Sequence, residues 1–489
     1  MRKIGKFCLV FLAIGALLLV LAAACGGDEE EKGTPTATRP AATATSTAAA
    51  TAKPTTKPTT APTAAATATP TAAPTTAPTT APTTAPTTAP TTAPTTEPSP
   101  AAMQVEDIKG INDERILLGS HFAKTGTYGA AFAPVIKGAE AYFRYVNAEL
   151  GGIAACGGRD IELKVIDDAY DPANSPGAVR ELVEQDEVLA IFAGLGTAAH
   201  SAVWEYLNEK GVPDLWIMSG AHKWAATPDE HPWSVAILPD YYVEGTIFGK
   251  YISANLPGKK VGVLYQNDDF GKDELAGVKN GLDPTKNELI AEQSYEATAV
   301  DIRSQVTNMK NAGVEVVVGG GIPGHMAQAI KAADQMGWDA QFFICYVNSD
   351  EAMFTYAGGA KVMEGVMTMQ ANKMAAWTDD PAIAEHHRIM REYGDIAPGN
   401  FTVEGQLAAE TMVNALTRAC NNGNLTRQGL MDAIHTFQDV NSDLGLPGIG
   451  FTFSPTDHYA VESMRLLVAT VTPEGKGKYE YVGENISFR

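Results

Sequence analysis

"VLAIFAGLGTAAHSAVWEYLNEKGVPDLWIMSGA" runs from Val188 to Ala221. It opens on a short apolar run that stops at glycine. A stretch with helical spacing follows, and a second apolar run stops at Ser219-Gly220. Short apolar runs on either side of a helix read as a βαβ unit, and such units build a parallel sheet. The same alternation extends outward. Upstream, "RILLGS" (115–120) is a strand, and 134–150 has helical spacing with Ile136, Ala139, Tyr142, Phe143 and Val146 on one side. "GGIAACGG" (151–158) breaks that helix, "DIELKVIDD" (160–168) is the next strand, and Asp171-Pro172 starts another helix. Downstream a second series begins at "KKVGVLYQNDD" (259–269) and passes through a helix to 282. It continues with "VEVVVGGG" (314–321), "HMAQAIKAADQMG" (325–337) and "AQFFICY" (340–346). Two series in a row predict an α/β chain with two similar lobes, each around a parallel sheet. Ligands of open α/β sheets sit beyond the carboxyl ends of the strands. The loops to watch are therefore 120–132, 167–174, 194–200, 219–224, 266–272, 319–325 and 345–350.

The first hundred residues are of another kind. Arg2, Lys3 and Lys6 precede an apolar stretch, Phe7 to Ala24, that ends in small residues. That is the pattern of a secretory signal. Ala22-Ala23-Ala24-Cys25 resembles the lipobox of bacterial lipoproteins, which implies a lipid on the Cys25 thiol and a mature chain that starts there. Acyl chains hold a protein on a bilayer at about 0.8 kcal/mol per buried methylene. From 26 to about 101 the chain is mostly threonine, alanine and proline, with Ala-Pro-Thr-Thr repeated from 73 to 96. Such a tract buries nothing and favours polyproline II, so it reads as a semi-rigid spacer with a reach on the order of 200 Å. Its composition is also compatible with an O-glycosylated stalk.

The chain beyond the spacer is too long for one ordinary core and suits two lobes. The formal net charge of −21 argues against nucleic acid, which needs clustered lysine and arginine. After Cys25 only Cys156, Cys345 and Cys420 remain, and no CxxC pair exists for zinc or thiol redox chemistry. Asp167-Asp168 and Asp268-Asp269 read as loop acids that cap helices. Glu385-His386-His387 lacks metal-ligand spacing and reads as surface, "GGGIPGH" lacks the P-loop lysine, and no GxSxG elbow is present. Nothing in the chain reads as an enzyme, a metal site or a cofactor site.

From about Arg115 onward the chain resembles the solute-binding proteins of branched-chain amino-acid (leucine/isoleucine/valine) ABC transporters. The resemblance is carried, in order, by "AKTGTYGAAFAPVIKGAEAYFRYVNAELGGI", "DDAYDPANSPGAVRELVEQDEVLAIFAGLGTAAHSA", "GVPDLWIMSGA", "KVGVLYQNDDFGKDELAGVKNGL" and "GGGIPGHMAQAIKAADQMGWDAQF". It implies a type I periplasmic-binding fold: two Rossmann-like lobes joined by three crossover strands, with a cleft that closes on solute. The expected division is a signal peptide at 1–24 and a linker at 25–101. Lobe 1 is expected at 102–240 and 370–450, and lobe 2 at 241–369 and 451–489.

The same resemblance implies a pocket. The carboxylate loop falls at 196–200, with Thr197, Ala199 and His200, and the second carboxylate stretch at 219–222, with Ala221 and His222. Aromatics fall at Tyr128 and Phe270, and the first crossover contributes Asp240. Trp224 reads either as a platform for ligand or as a plug in the lobe. Two positions depart from the amino-acid pattern: the expected tyrosine is Ile322, and the glutamate that pairs with the ligand's ammonium is Tyr346. An α-ammonium without a carboxylate partner is poorly compensated in a closed cleft. The expected solute is therefore a small carboxylate or an amino-acid-like compound, with weak binding of leucine, isoleucine and valine.

In the family's topology the helix at 403–419 returns to lobe 1, which puts Cys420 on the same face as Cys156, away from the cleft. A disulfide between them is expected, with Cys345 free near the cleft. The implied protein is a monomeric lipoprotein on the extracytoplasmic face of the membrane, delivering solute to an ABC permease. A sensing receptor of the same fold, working with a signalling partner, is the alternative.

Overall fold

A computed structural model describes residues 109–461 and 463–487, so the signal segment, Cys25 and the linker lie outside the described residues. The first sheet holds β1 (Arg115–Phe122), β2 (Asp160–Asp167), β3 (Ala190–Phe192), β4 (Asp214–Ile217) and β5 (Ser234–Ala236). They run parallel in the order β2-β1-β3-β4-β5. Most of their side chains are buried on both faces, which is why these strands read as continuous apolar runs rather than alternating ones.

The second sheet holds β6 (Lys260–Gln266), β7 (Glu288–Tyr295), β8 (Val316–Gly320), β9 (Gln341–Ile344), β10 (Met367–Gln370), β11 (Ser463–Val471) and β12 (Gly477–Ser487). Its order is β12-β11-β10-β9-β8-β6-β7. β6 to β10 are parallel, and β11 and β12 add an antiparallel edge. This sheet is thus parallel-dominated rather than purely parallel. The outer strand β12 is mostly exposed and carries charge, which suits an edge.

The helix expected at 134–150 spans Gly126–Glu149, with Pro134 inside it. It packs along the helix Asn400–Asn421, longer than the expected 403–419. A Cβ at Gly405 would lie 1.8 Å from the Val135 carbonyl oxygen, so only glycine lets these two backbones come together. Cys156, in a short turn after the first helix, and Cys420, at the end of the second, form a disulfide with Cα atoms 5.2 Å apart. Cys345 is free and buried.

The chain passes between the sheets three times: from β5 into the helix Tyr241–Asn255, from β10 to the helix Pro381–Tyr393, and from the helix Arg427–Ile434 to β11. The third passage corrects an expected boundary. Residues 451–458 were expected in the second lobe but lie against the first. Phe453 stacks on Trp216 at 5.7 Å, and His458 Nδ1 lies 2.8 Å from the Ser234 carbonyl oxygen. Trp216 sits at a register shift of β4 with φ +59°, and its ring packs against Phe437 and Phe453. Gln370, expected to open the returning part of lobe 1, is the last residue of β10 in the second sheet.

Candidate functional site

Residues that follow the strands of both sheets meet at one cavity. Tyr170 after β2, Gly196 after β3 and Met218 after β4 face Phe270 after β6, Ile322 after β8 and Val347 after β9. The space between these side chains, open solvent included, is about 430 Å³. This is where an open α/β sheet binds ligand, here built twice and face to face.

The Asp167-Asp168 pair builds one wall. Ala169 and Tyr170 both take left-handed φ, +55° and +61°, which disfavours side chains by roughly 1 kcal/mol each. Asp167 Oδ1 accepts the Ala169 N–H at 3.0 Å and Asp168 Oδ1 accepts the Tyr170 N–H at 2.9 Å, and these bonds hold the turn. The turn presents the Tyr170 ring, on which Tyr128 stacks at 4.5 Å. A Cβ at Gly196 (φ +90°) would lie 2.1 Å from the Tyr170 ring, so this position must be glycine for the ring to stay. The other wall has its own aromatic set. Tyr241 contacts Phe270 at 4.1 Å and Tyr346 at 5.7 Å between ring centroids.

Phe270 and Ile322, two of the residues expected from sequence, line the cavity. Tyr128 is half-buried, supports Tyr170 from behind, and donates its hydroxyl to the Ala297 carbonyl across the two lobes. Tyr346 is buried against Tyr241, and its backbone N–H donates to Glu244 Oε1 at 2.7 Å. Thr197 and Ala199 are buried in the five-residue helix Thr197–Ser201. The Thr197 hydroxyl is engaged with Ser219 Oγ at 2.7 Å, and Ser219 also accepts from Trp224 Nε1. Ala221 and Asp240 line a smaller neighbouring hollow with Trp224. Asp240 caps the helix Tyr241–Asn255 and binds His222 Nδ1 at 2.7 Å. That bond, ahead of the opposing effect of burial, pushes the His222 ring up from its ordinary range.

Two expectations are corrected, for His200 and His386, and the alternative left open at Trp224 is decided. His200 does not face the cleft. It is fully buried inside lobe 1, with Nδ1 2.9 Å from His121 Nε2 and Nε2 2.8 Å from Asp214. His121 continues the chain to Asp168 at 2.9 Å, so both ring nitrogens of each histidine are engaged inside the lobe and neither is offered to a ligand. Trp224 is a plug, packed edge-on against Trp204 and His200. His386, read as surface, is fully buried between Gln406 and Thr402, because its helix docks that face onto Asn400–Asn421.

The sequence reading missed Tyr241, Phe132, Phe401 and Glu404 in the lining. Glu404 is the cavity's only acid and is 7% exposed. Among the described residues, Glu244, Glu274 and Cys345 could share a metal ion, since their ligating atoms lie within 4.8 Å of one another. Burial pushes both carboxyls up, Glu274 further through the charge of Glu244, so the arrangement reads as an acid pair that keeps a proton beneath the cleft floor.

The architecture and the cleft define a two-lobed binding protein. The sequence pattern of the family described as "Periplasmic binding protein" matches residues 116–476, and the chain belongs to that family. It is 23% identical over 328 residues to an amino acid binding protein of Pseudomonas aeruginosa, covering 65% of this chain and 83% of that one. It is 25% identical to Leu/Ile/Val-binding protein homolog 1 of Brucella abortus, covering 67% and 85%. Among solved structures, a branched-chain amino acid ABC transporter protein from Thermus thermophilus with bound valine superposes with a TM-score of 0.66 at 22% identity, covering 77% and 97%. A fatty acid ABC transporter substrate-binding protein from Thermomonospora curvata superposes at 0.67 and 22%, covering 78% and 95%. The relatives are binding proteins rather than enzymes, and the general role of this chain is extracytoplasmic binding of a small solute. No helix of the described residues is long and apolar enough to cross a membrane.

Proposed function

We propose that this chain is the lipid-anchored solute receptor of an ABC permease. It captures a small molecule between its lobes as a monomer and hands it over at the extracytoplasmic face of the membrane. The observation that carries this reading is the cavity itself, with strand-end residues from both sheets around one shared space. Two solute classes were left open by the sequence, a carboxylate and an amino-acid-like compound. The lining disfavours a plain carboxylate, because it contains no lysine, arginine or histidine and the Thr197 hydroxyl is bonded to Ser219, whereas Glu404 suits the ammonium of an amino-acid-like compound. Weak binding of leucine, isoleucine and valine is retained, now for want of a carboxylate partner.

Native mass spectrometry of the purified chain tests the reading: a bound small molecule is expected, and it should be lost when Phe270→Ala opens the cavity. The anchor is tested separately. Cys25→Ser should release the protein from membranes or leave an uncleaved precursor, and a variant still processed and fractionating as a lipoprotein would refute the lipobox assignment.

A further inference from the structure

We infer that the cleft recognises an organic cation, with an ammonium group seated on Glu404, the apolar remainder of the solute among the aromatic rings, and no carboxylate required. This rests on the solute-binding reading above and names the solute's chemistry.

Glu404 lies in the second turn of the helix Asn400–Asn421 and points into the cavity, 7% exposed. Among the described residues its carboxyl has no hydrogen bond and no ion pair. A buried, unpaired carboxylate costs several kcal/mol, so in the empty cleft the group keeps its proton. Burial first, then the charge of Asp350, pushes it up to about 8. A fold that only needed to fill this position would do better with an apolar residue or an amide. A bound ammonium removes the penalty by supplying the missing countercharge.

The rest of the lining agrees. Five of its members carry aromatic rings: Phe132, Tyr170, Tyr241, Phe270 and Phe401. Ring faces attract a cation, the more so when water is excluded. For an anion the cavity offers no positive side chain.

The titratable groups around Glu404 do not supply the charge either. Asp350 accepts from the Ala352 and Phe401 backbone N–H groups, and burial raises it. Glu351 beside it is pushed up to about 7 by burial and by Asp350. Tyr170, Tyr241 and Tyr346 are all raised by burial and stay neutral.

The two ligand chemistries give opposite pH dependence. Seating an ammonium ionises Glu404, so below pH 8 binding expels about one proton, and affinity rises up to about tenfold per pH unit before levelling near pH 8. A carboxylate solute would instead accept a hydrogen bond from the protonated acid and bind less well above pH 8.

Calorimetry of the purified chain with phenethylamine, phenylalanine and phenylacetate, and with isopentylamine, leucine and 3-methylbutanoate, decides between them. Each is run from pH 6 to 9 in two buffers of different protonation heat. Amines are expected to bind at least tenfold more tightly than the matching carboxylates, with release of about one proton below pH 8. Glu404→Gln should cost the amine tenfold or more and flatten its pH profile, while the melting temperature holds or rises. Glu404→Asp should weaken the amine yet keep the proton release. Tighter binding of the carboxylates, an unchanged amine affinity and pH profile in Glu404→Gln, or no amine binding to the folded protein would each overturn the inference. Binding of a carboxylate or a neutral solute that Phe270→Ala weakens leaves the solute-binding reading standing. Only the absence of any bound or co-purified small molecule removes both.

Discussion

The two lobes bury polar groups in different combinations: lobe 1 pairs histidines with Asp168 and Asp214, while lobe 2 buries the carboxyls of Glu244 and Glu274 side by side. Lobe 1 hides histidines: His121, His200, His386 and His458 are all fully buried, each bonded to another side chain or to backbone. Lobe 2 hides acids, chiefly Glu244 and Glu274, with Glu274 lacking a hydrogen-bonding partner at either carboxyl oxygen. Burial pushes His121, His386 and His458 down, so they resist protonation, and a buried neutral acid resists ionisation. Acid should therefore act chiefly through His386 and His458 of lobe 1, and rising pH through Glu244 and Glu274 of lobe 2 together with Glu404 of lobe 1. Lobe 1 also carries a covalent staple that lobe 2 lacks among its described residues.

The staple gives the largest expected difference. Cys156 and Cys420 are 264 residues apart, and closing so long a loop lowers the entropy of a wholly unfolded chain by an amount worth about 5 kcal/mol, and by less while lobe 2, which lies inside the loop, stays folded. Cys156→Ala with Cys420→Ala, or a reductant, should lower the transition of lobe 1 by several degrees and leave that of lobe 2 near its place. Calorimetry with and without reductant checks this. Equal shifts of both transitions would mean that the lobes unfold as one unit.

Acid comes next. Burial pushes His386 and His458 down to about 4, so the unfolded chain binds more protons than the folded one between that value and 6.5. Stability then rises with pH across this window and is lost as pH falls through it, on the order of 3 kcal/mol for each histidine. His386→Gln keeps a hydrogen-bonding side chain between Gln406 and Thr402 and removes the titration. Its stability should fall less steeply from pH 6.5 to 4 in urea unfolding, and an unchanged slope would show that this histidine is not what acid attacks.

Alkali should act on lobe 2. Glu244 is pushed up to about 8 and Glu274 is raised as well, so the folded chain holds the extra protons, and stability falls as pH climbs from 4.5 toward 8. Glu274→Gln removes one of the two titrating carboxyls of this buried pair. It should be neutral at pH 5 and stabilise by about 1 kcal/mol or more at pH 8. Destabilisation at both pH values, with loss of a bound metal by elemental analysis, would show an ion in place of the proton.

These contrasts could not be read from the sequence, although the fold could. The βαβ alternation is a local signal, repeated in each lobe, and all the loops singled out by the strand-end rule except 219–224 supply residues to the cavity. Phe270 and Ile322 came from resemblance and line the cavity. Glu404 and His386 were missed or misplaced for one reason. Each lies on an amphipathic helix among other polar residues, where a charged or polar side chain ordinarily faces water. Which face is covered depends on how the helix docks against a partner far away in the chain. Tyr170 fell in the watched loop 167–174, but that its ring is the one presented follows from the left-handed turn at Ala169 and Tyr170, which alanine and tyrosine do not signal in a sequence.

The smallest expected effect lies where the lobes touch. Lys223, in lobe 1, donates to Asp269 of lobe 2 at 2.8 Å and also to Ser201 of its own lobe, with its ammonium 4.7 Å from the Trp224 ring centroid. The lysine is therefore positioned by lobe 1 whether or not lobe 2 is near, and only the Asp269 contact depends on closure. That carboxylate side chain is half exposed, so water and salt screen the pair, and such pairs are worth about 0–1 kcal/mol. Asp269→Asn should weaken solute binding by less than about fivefold at low salt and hardly at all at about 0.5 M, where screening has already removed the attraction. Tenfold or greater weakening that persists at high salt would show that this contact, rather than the solute, holds the cleft closed.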